Sequence, residues 1–512
     1  MKNIFGNLRH DLFASIVVFF VALPLCLGIA LASGAPLFSG IIAGITGGIV
    51  VGLISGSALG VSGPAAGLAV LVLGYVKALG DSWEAFLLAV VISGVIQLIA
   101  GFLKLGNIAY YFPSSVIKGM LTGIGLIIIL KQIPHAVGYD NEFKDDFDFD
   151  QLDPGNTYLR LAHMLRYLAP NPIIITTVSM LILIVWEIAL SAKGQFAQIK
   201  IFKIIPGPLM AVVIGIVLSN FLHLKESQIV QIPVANNLGR FFAQFTLPDF
   251  TQLKNPDIYF IAIIIAVVAS LETLLCLEAT DRMDVQKRVT PTNLELKAQG
   301  IGNIVSGLLG GLPLTQVVVR SSANINFGAK SKLSTILHGF LLLISVITIS
   351  NLLNMIPLAT LACILLVIGY KLAKPSAFKE MYKLGLEQFL PFITTIIGIL
   401  VFDLLKGVAI GMIMAIYFIL RNNFRNCCKY VEKKEDKQNQ QHIIALCEEV
   451  SFLNKSRILQ MLNKIPANSS VVIDGSKSSY IDYDVIEIIR DFQANAKTKN
   501  IFLEIKNISK CS

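Results

Sequence analysis

The strongest constraint on this chain is a series of apolar runs, each near the length needed to cross a bilayer, recurring from residue 12 to about residue 421. At 1.5 Å per residue, roughly 20 apolar residues cover about 30 Å of hydrocarbon. That layer holds no water, so each run must close its own backbone hydrogen bonds as helix. Only 15% of the 512 residues are charged and mean hydropathy is +0.71, whereas soluble domains carry about 25% charged residues. The runs lie near 12–32, 37–54, 63–78, 84–103, 115–135, 172–190, 207–222, 258–280, 294–311, 314–326, 333–350, 355–371, 387–402 and 404–421, about fourteen spans. The last ninety or so residues are polar and Lys-rich instead. The pattern therefore predicts a transmembrane domain over 1–425, a linker over 426–441 and a small cytosolic domain over 442–512.

The net charge of +9 does not point to nucleic acid, because basic loops of a membrane protein stay in the cytoplasm. The segments 192–203, 281–289, 371–383 and 421–434 are basic and 138–153 is acidic. An even number of spans then places both termini in the cytoplasm and the acidic loop outside, in an inner (plasma) membrane. The N-terminal apolar run is longer than the roughly 7–15 residues of a signal-peptide core, so it reads as the first helix. Of the seven cysteines, Cys26, Cys276 and Cys363 fall in spans and Cys427, Cys428, Cys447 and Cys511 in the tail region. None shows a zinc spacing or implies a disulfide framework.

Two apolar runs are broken. "GVSGPAAGLAV" (60–70) and "GLLGGLPLTQVVVRSS" (307–322) place Gly and Pro just before the third and tenth spans. An offset of seven in fourteen makes the two copies cross in opposite directions, with repeats over about 12–222 and 258–421. Interrupted segments in matching positions of inverted repeats mark a midplane site. Irregular backbone at that depth must be covered by protein or line a cavity. Pro suits a helix start, so Pro64 and Pro313 are expected to open helices. Converging helix N-termini favour an anion, and Gly63, Ala65, Ala66 and Gly67 allow close backbone approach. Helix packing accounts for either break alone; the matched pair points to a site.

Ionisable groups in lipid are costly and usually functional. Glu272 lies mid-span, with Cys276 four residues on and on the same helix face; a carboxylate there suits a coupling cation or a proton. Arg320, expected about two turns past the second break, either neutralises an anion or pairs with a carboxylate. Glu187, Lys131, Asp403 and Lys406 lie near span ends, where snorkelling suffices. His135 and His338 have no second ligand nearby and read as structural. No nucleophile–base set, metal cluster or phosphate loop occurs, which argues against an enzyme, a resident cofactor and direct ATP coupling.

"FVALPLCLGIALASGAP" (20–36), "GVSGPAAGLAV", "SLETLLCLEATDRMD" (270–284), "NLELKAQGIGNIVSGLLGGLP" (293–313) and "RSSANINFGAKSKLSTILHG" (320–339) resemble the SulP family of anion transporters, relatives of the SLC26 proteins. The resemblance implies an all-α polytopic fold of seven plus seven inverted repeats, in core and gate subdomains, and a C-terminal α/β STAS domain. It also implies a homodimer and elevator-type motion. The implied anion site lies between the starts of the third and tenth helices, facing the first and eighth. On this sequence it comprises Pro24, Cys26, Ser62, Gly63, Pro64, Ala65, Ala66, Gly67, Leu314, Thr315, Gln316, Val317, Val318 and Arg320, with Glu272 and Cys276 for the coupling cation. Leu25 and Ile29 replace the Gln and Tyr of many eukaryotic members, so the chain looks more like the bacterial bicarbonate branch. Cys276 and Val318 stand where Thr is expected. Hard cations want oxygen, so a proton on Glu272 competes with sodium as the coupling ion.

In the tail, strand and helix patterns alternate. "VVIDGSKSSYIDYDVIEIIRDF" (471–492) resembles a STAS core, with Tyr483 and Asp484 where phosphorylatable members carry Ser, and the unit reads as lacking a last helix. The sequence thus predicts a secondary transporter of small inorganic anions, bicarbonate before sulfate. The alternatives are an uncoupled channel or exchanger, and a membrane sensor or scaffold signalling to a cytosolic partner through the tail.

Overall fold

A computed structural model describes residues 7–138, 169–190, 205–233, 244–402, 404–425, 428–436 and 439–508. Residues 139–153 of the acidic loop, the basic loop 192–203, Asp403, Cys427 and Cys511 lie outside them. Each expected span contains a helix. They are α1 (Leu8–Ala32), α2 (Leu37–Ile54), α3 (Ala66–Ala78), α4 (Trp83–Phe102), α5 (Ser114–Val137), α6 (Pro170–Leu190), α7 (Gly207–Leu222) and α8 (Pro256–Met283). The second half continues with α9 (Thr292–Leu308), α10 (Val318–Asn326), α11 (Leu333–Thr348), α12 (Leu358–Leu372), α13 (Leu386–Val401) and α14 (Leu404–Arg425). Among the described residues eight helices are long and apolar enough to cross a membrane, with α3, α7, α11 and α13 apolar but shorter. Large apolar side chains such as Phe221, Phe260, Ile263 and Ile397 face outward, as lipid-facing surface does.

Local sequence sets the helix ends. Asn255 caps α8 by accepting the Asp257 N–H at 3.0 Å, with Pro256 at the first helical position. Ser82 caps α4 through the Ala85 N–H. Within α2, a π-helical turn at Gly47–Val51 brings the backbone against two neighbours. A Cβ on Gly47 would meet the Ser62 and Gly63 backbone, and one on Gly48 would meet Gly339.

Two groups of helix contacts stand out. α4 packs on α9 and α8, and α1 packs on α2, α10 and α11; α5 packs on α12 and α13, and α6 on α7, and the groups meet where α1 packs on α12 and α7. In both groups glycine pairs bring backbones together, since small residues are what permit close membrane-helix packing. A Cβ at Gly94 would stand 2.6 Å from the Gly300 carbonyl, and one at Gly300 would stand 2.7 Å from that of Gly94. Gly125 of α5 and Gly369 of α12 repeat the arrangement.

Contacts divide the chain into Met1–Gly411 and Met412–Ser512. The second unit has a sheet of order β3-β4-β6-β8, formed by Cys428–Asp436, Asn439–Leu446, Ser470–Asp474 and Phe502–Lys506, and a short parallel pair of β5 (Glu449–Val450) and β7 (Tyr480–Ile481). Strands β4, β6 and β8 run parallel. Helices α15 (Lys455–Asn463) and α16 (Tyr483–Ala496) cover a core of Ile444, Val471, Ile473, Val485 and Ile489. Asp482 caps α16 by accepting the Asp484 N–H. Residues 428–436, which the sequence placed in a linker, form β3 and pair antiparallel with β4. Their run of charged residues hides a strand that a parallel sheet recruits at its edge, where charge is tolerated.

Replacing Gly300 by Val forces α4 and α9 apart. Overpacking costs about 1–3 kcal/mol, so the thermal unfolding midpoint of the purified protein in detergent should fall below that of the unaltered chain.

Candidate functional site

The two broken segments meet. Ser62–Pro64 (β1) pairs antiparallel with Leu314–Gln316 (β2) in the register Ser62↔Gln316, Gly63↔Thr315 and Pro64↔Leu314. An antiparallel pair has local two-fold symmetry, which is the inverted repeat expressed at its centre. Neither proline opens a helix as the sequence suggested. Pro64 ends β1, α3 begins at Ala66, and α10 begins at Val318, five residues after Pro313. The reason is backbone satisfaction: groups at this depth need partners, and the ladder supplies them before either helix starts. Val317 N–H extends it by donating to the Val61 carbonyl at 2.9 Å.

Helix α9 holds the ladder through a stripe of buried polar side chains at Glu295, Gln299, Asn303 and Ser306. Asn303 closes the open end, where Pro64 has no N–H. Its Oδ1 accepts from Leu314 N at 2.7 Å and its Nδ2 donates to Leu314 O at 3.1 Å and to Gln97 at 2.7 Å. Gln299 Nε2 donates to Ser62 Oγ at 2.7 Å and to Glu295 Oε1 at 2.8 Å. Ser306 donates to the Leu312 carbonyl. On the α8 side, Gln316 N donates to Thr273 Oγ1 at 3.3 Å and Gln316 Nε2 to Thr280 Oγ1 at 3.1 Å. Ser62, Leu314 and Gln316 thus turn their side chains to α8 and α9. Opposed residues of a ladder share a face, so Gly63 and Thr315 present the other.

Arg320 occupies that other face. It sits in the first turn of α10 rather than two turns on, because the helix starts at Val318. It is fully buried, and a Cβ on Gly63 would collide with its guanidinium. Its Nη2 approaches Cys26 Sγ of α1 at 3.4 Å, while Nε and Nη1 have no partner. Among the described residues no carboxylate pairs with it, which removes the ion-pair alternative. The N-cap residues Ala65 and Val317 carry no side-chain acceptor, so the first-turn N–H groups of α3 and α10 keep their positive character. An uncompensated buried charge costs several kcal/mol, and an anion placed here removes that cost.

Glu272 stands at the start of α3: a Cβ on Gly67 would lie 3.0 Å from both carboxylate oxygens. Oε2 has no partner. Cys276, one turn along α8, is buried with its sulfur at the Val318 N–H. Gly63 and Gly67 therefore each leave room for one charge of the site. Pro24 lies inside α1 and is buried with Cys26; Ala66, Val317 and Val318 are half-buried. His338, read as structural, is fully buried on α11 with neither ring nitrogen hydrogen-bonded. Glu187 pairs with Lys371 at 3.1 Å, both half exposed, as a span-end residue does.

Sequence reasoning singled out the breaks and both charges but assigned no role to Glu295, Gln299 or Asn303. Their signal is a polar residue at every fourth position, along one face of a helix.

The profile described as Sulfate permease family matches residues 8–397. The chain is 28% identical over 419 residues to the putative sulfate transporter YvdB of Bacillus subtilis, covering 81% of this chain and 74% of that one. It is 26% identical over 422 residues to the bicarbonate transporter BicA of Picosynechococcus, covering 80% and 70%. Among solved structures, that of SLC26A9 shares the fold with a TM-score of 0.78 at 16% identity, over 98% of this chain and 84% of the other.

Asn303→Leu strands the N–H and carbonyl of Leu314 beside Pro64. Each unpaired buried group costs about 1–3 kcal/mol, so this variant should unfold at a lower temperature than Gln97→Leu, which leaves both Leu314 groups paired. Parallel melting curves in detergent compare the two.

Proposed function

Because the chain belongs to the sulfate permease family, we propose that it is a secondary transporter of small inorganic anions, binding them between the N-termini of α3 and α10 with Arg320 as counter-charge. The observation that carries this reading is Arg320: fully buried, with no carboxylate partner among the described residues, with two guanidinium nitrogens unpartnered, beside two helix starts that lack side-chain caps. Backbone N–H groups and one guanidinium select for charge and size rather than for one oxyanion. Both bicarbonate and sulfate, named for the relatives, belong to that class, and the resemblance of Leu25 and Ile29 to the bacterial bicarbonate branch favours bicarbonate.

Glu272 is the coupling group in this reading. Its carboxylate and the anion share the positive end of α3, so an ionised, bare Glu272 opposes anion entry and a neutralised one permits it. Cys276 and Val318 offer no oxygen to a sodium ion, which favours a proton over sodium. A freely conducting anion pore has no use for such a carboxylate, which sets the channel alternative second. Transport proceeds by an elevator-type displacement of the group containing α1, α3, α8 and α10 against the group containing α5, α7 and α12. Homodimerisation and a cytosolic partner for the C-terminal unit rest on the family resemblance.

Purified protein in liposomes, given labelled bicarbonate or sulfate under separately imposed proton and sodium gradients, tests this. Uptake should follow the proton gradient. Arg320→Ala should lower it about tenfold or more, the equivalent of about 1.4 kcal/mol of lost anion binding. Glu272→Gln should abolish the gradient dependence. Absence of anion uptake under every gradient overturns the reading, and full gradient-driven uptake by Glu272→Gln overturns the coupling assignment.

A further inference from the structure

A second carboxylate lies within the membrane unit, and the transport reading does not use it. Glu295, in the first turn of α9, is fully buried. Its Oε2 accepts from Ser55 Oγ at 2.5 Å and its Oε1 accepts from Gln299 Nε2 at 2.8 Å. No Lys or Arg among the described residues pairs with it. The segments packed around it, α2, β2 and residues 105–111, carry no charged side chain, and α4 carries only Glu84, at its far end. From α8 the charged group acting on it is another carboxylate, Asp281, which itself accepts from Thr290 N and Oγ1. On its own helix, Lys297 lies over the Phe102 ring instead. An ionised Glu295 is thus held by two neutral donors only.

The same carboxylate joins two places. On one side, Ser55 Oγ accepts the Ser57 N–H at 2.9 Å, and Ser57 lines a cavity of about 240 Å³ with Thr280, Asp281 and Thr290. On the other side, Gln299 passes the contact to Ser62 Oγ in β1, one residue from the Gly63 that Arg320 covers. Gln299 Oε1 is buried and unpartnered, so the amide holds an acceptor in reserve for a protonated Glu295.

We propose that Glu295 is a second proton-binding group of this protein, loaded from the cavity at the α8–α9 turn through the Ser55 hydroxyl, and that its charge state sets anion affinity at β1 through Gln299 and Ser62. A hydronium ion in the cavity gives a proton to Ser55 Oγ as Ser55 gives its own to Glu295 Oε2, and a water molecule is left behind; no other bond changes. The sign follows from charge. A protonated Glu295 leaves the Arg320 charge fully available to an anion, while an ionised one offsets it, so anion affinity falls as pH rises. Glu295 acts through other groups and is a positioning residue. The functional consequence rests on the transport reading; the protonation does not.

Two measurements separate these. Infrared spectra of detergent-solubilised Glu272→Gln, recorded across about pH 5–9, should contain a protonated-carboxyl band that disappears as pH rises. The band should be missing from the Glu272→Gln/Glu295→Gln double variant, whose glutamine keeps an acceptor for Gln299 and can pair with Ser55. Ser55→Ala, which removes one donor, should displace the midpoint of that band. Identical pH-dependent carboxyl absorption with and without Glu295, or an unmoved midpoint in Ser55→Ala, overturns the proposal. In liposomes, the apparent KM for sulfate should rise with pH in Glu272→Gln, where the other carboxylate of the site no longer titrates, and lose that dependence in Glu272→Gln/Glu295→Gln. A pH profile retained in that double variant also overturns it. Failure of all anion uptake sinks the transport reading alone, because the infrared result still decides the proton site.

Discussion

Everything at the centre of this protein depends on satisfying backbone where the chain abandons helix inside lipid. Two three-residue strands, β1 and β2, solve most of it by pairing with each other. Asn303 solves the remainder by bonding both backbone groups of Leu314 opposite Pro64. Because hydrocarbon offers no substitute partner, the alternative is several kcal/mol of unpaired polar backbone. That requirement explains why α9, the helix behind the ladder, carries Glu295, Gln299, Asn303 and Ser306 along one buried face.

With the ladder fixed, the charges fall into place. The strands deliver the chain to two helix starts whose N-cap residues, Ala65 and Val317, carry no side-chain acceptor. Gly63 and Gly67, four residues apart, each leave out a side chain so that Arg320 and Glu272 fit against the backbone. The positive elements are Arg320 and two helix ends; the nearby negative one is Glu272. Such an imbalance is costly inside a membrane, and a bound anion would offset the cost, in keeping with the proposed anion transport.

Much of the architecture was legible in the sequence because membrane insertion is written in composition: runs of apolar residues must be helices. Helices occupy every expected segment, and the broken third and tenth segments stood out as matching interruptions. Glu272 and Arg320 stood out by residue type, since charges in such runs are conspicuous. The prolines misled, because a helix-start preference is local, while pairing between segments about 250 positions apart decided where α3 and α10 begin. Strand β3 was missed for a similar reason: its charged residues look like a linker until β4 is set beside it.

The sequence alone determined that this is a polytopic helical protein with two matched interruptions and buried charge. Periodicity and hydropathy are properties of single segments, and lipid enforces them one segment at a time. Only the tertiary structure decided that the interruptions form one ladder, that Arg320 has no carboxylate partner among the described residues, that Gly63 and Gly67 each make room for one charge, and that Glu295 is held between Ser55 and Gln299. Those facts depend on distances between residues remote in the chain, and a distance is set by packing, which no single segment encodes.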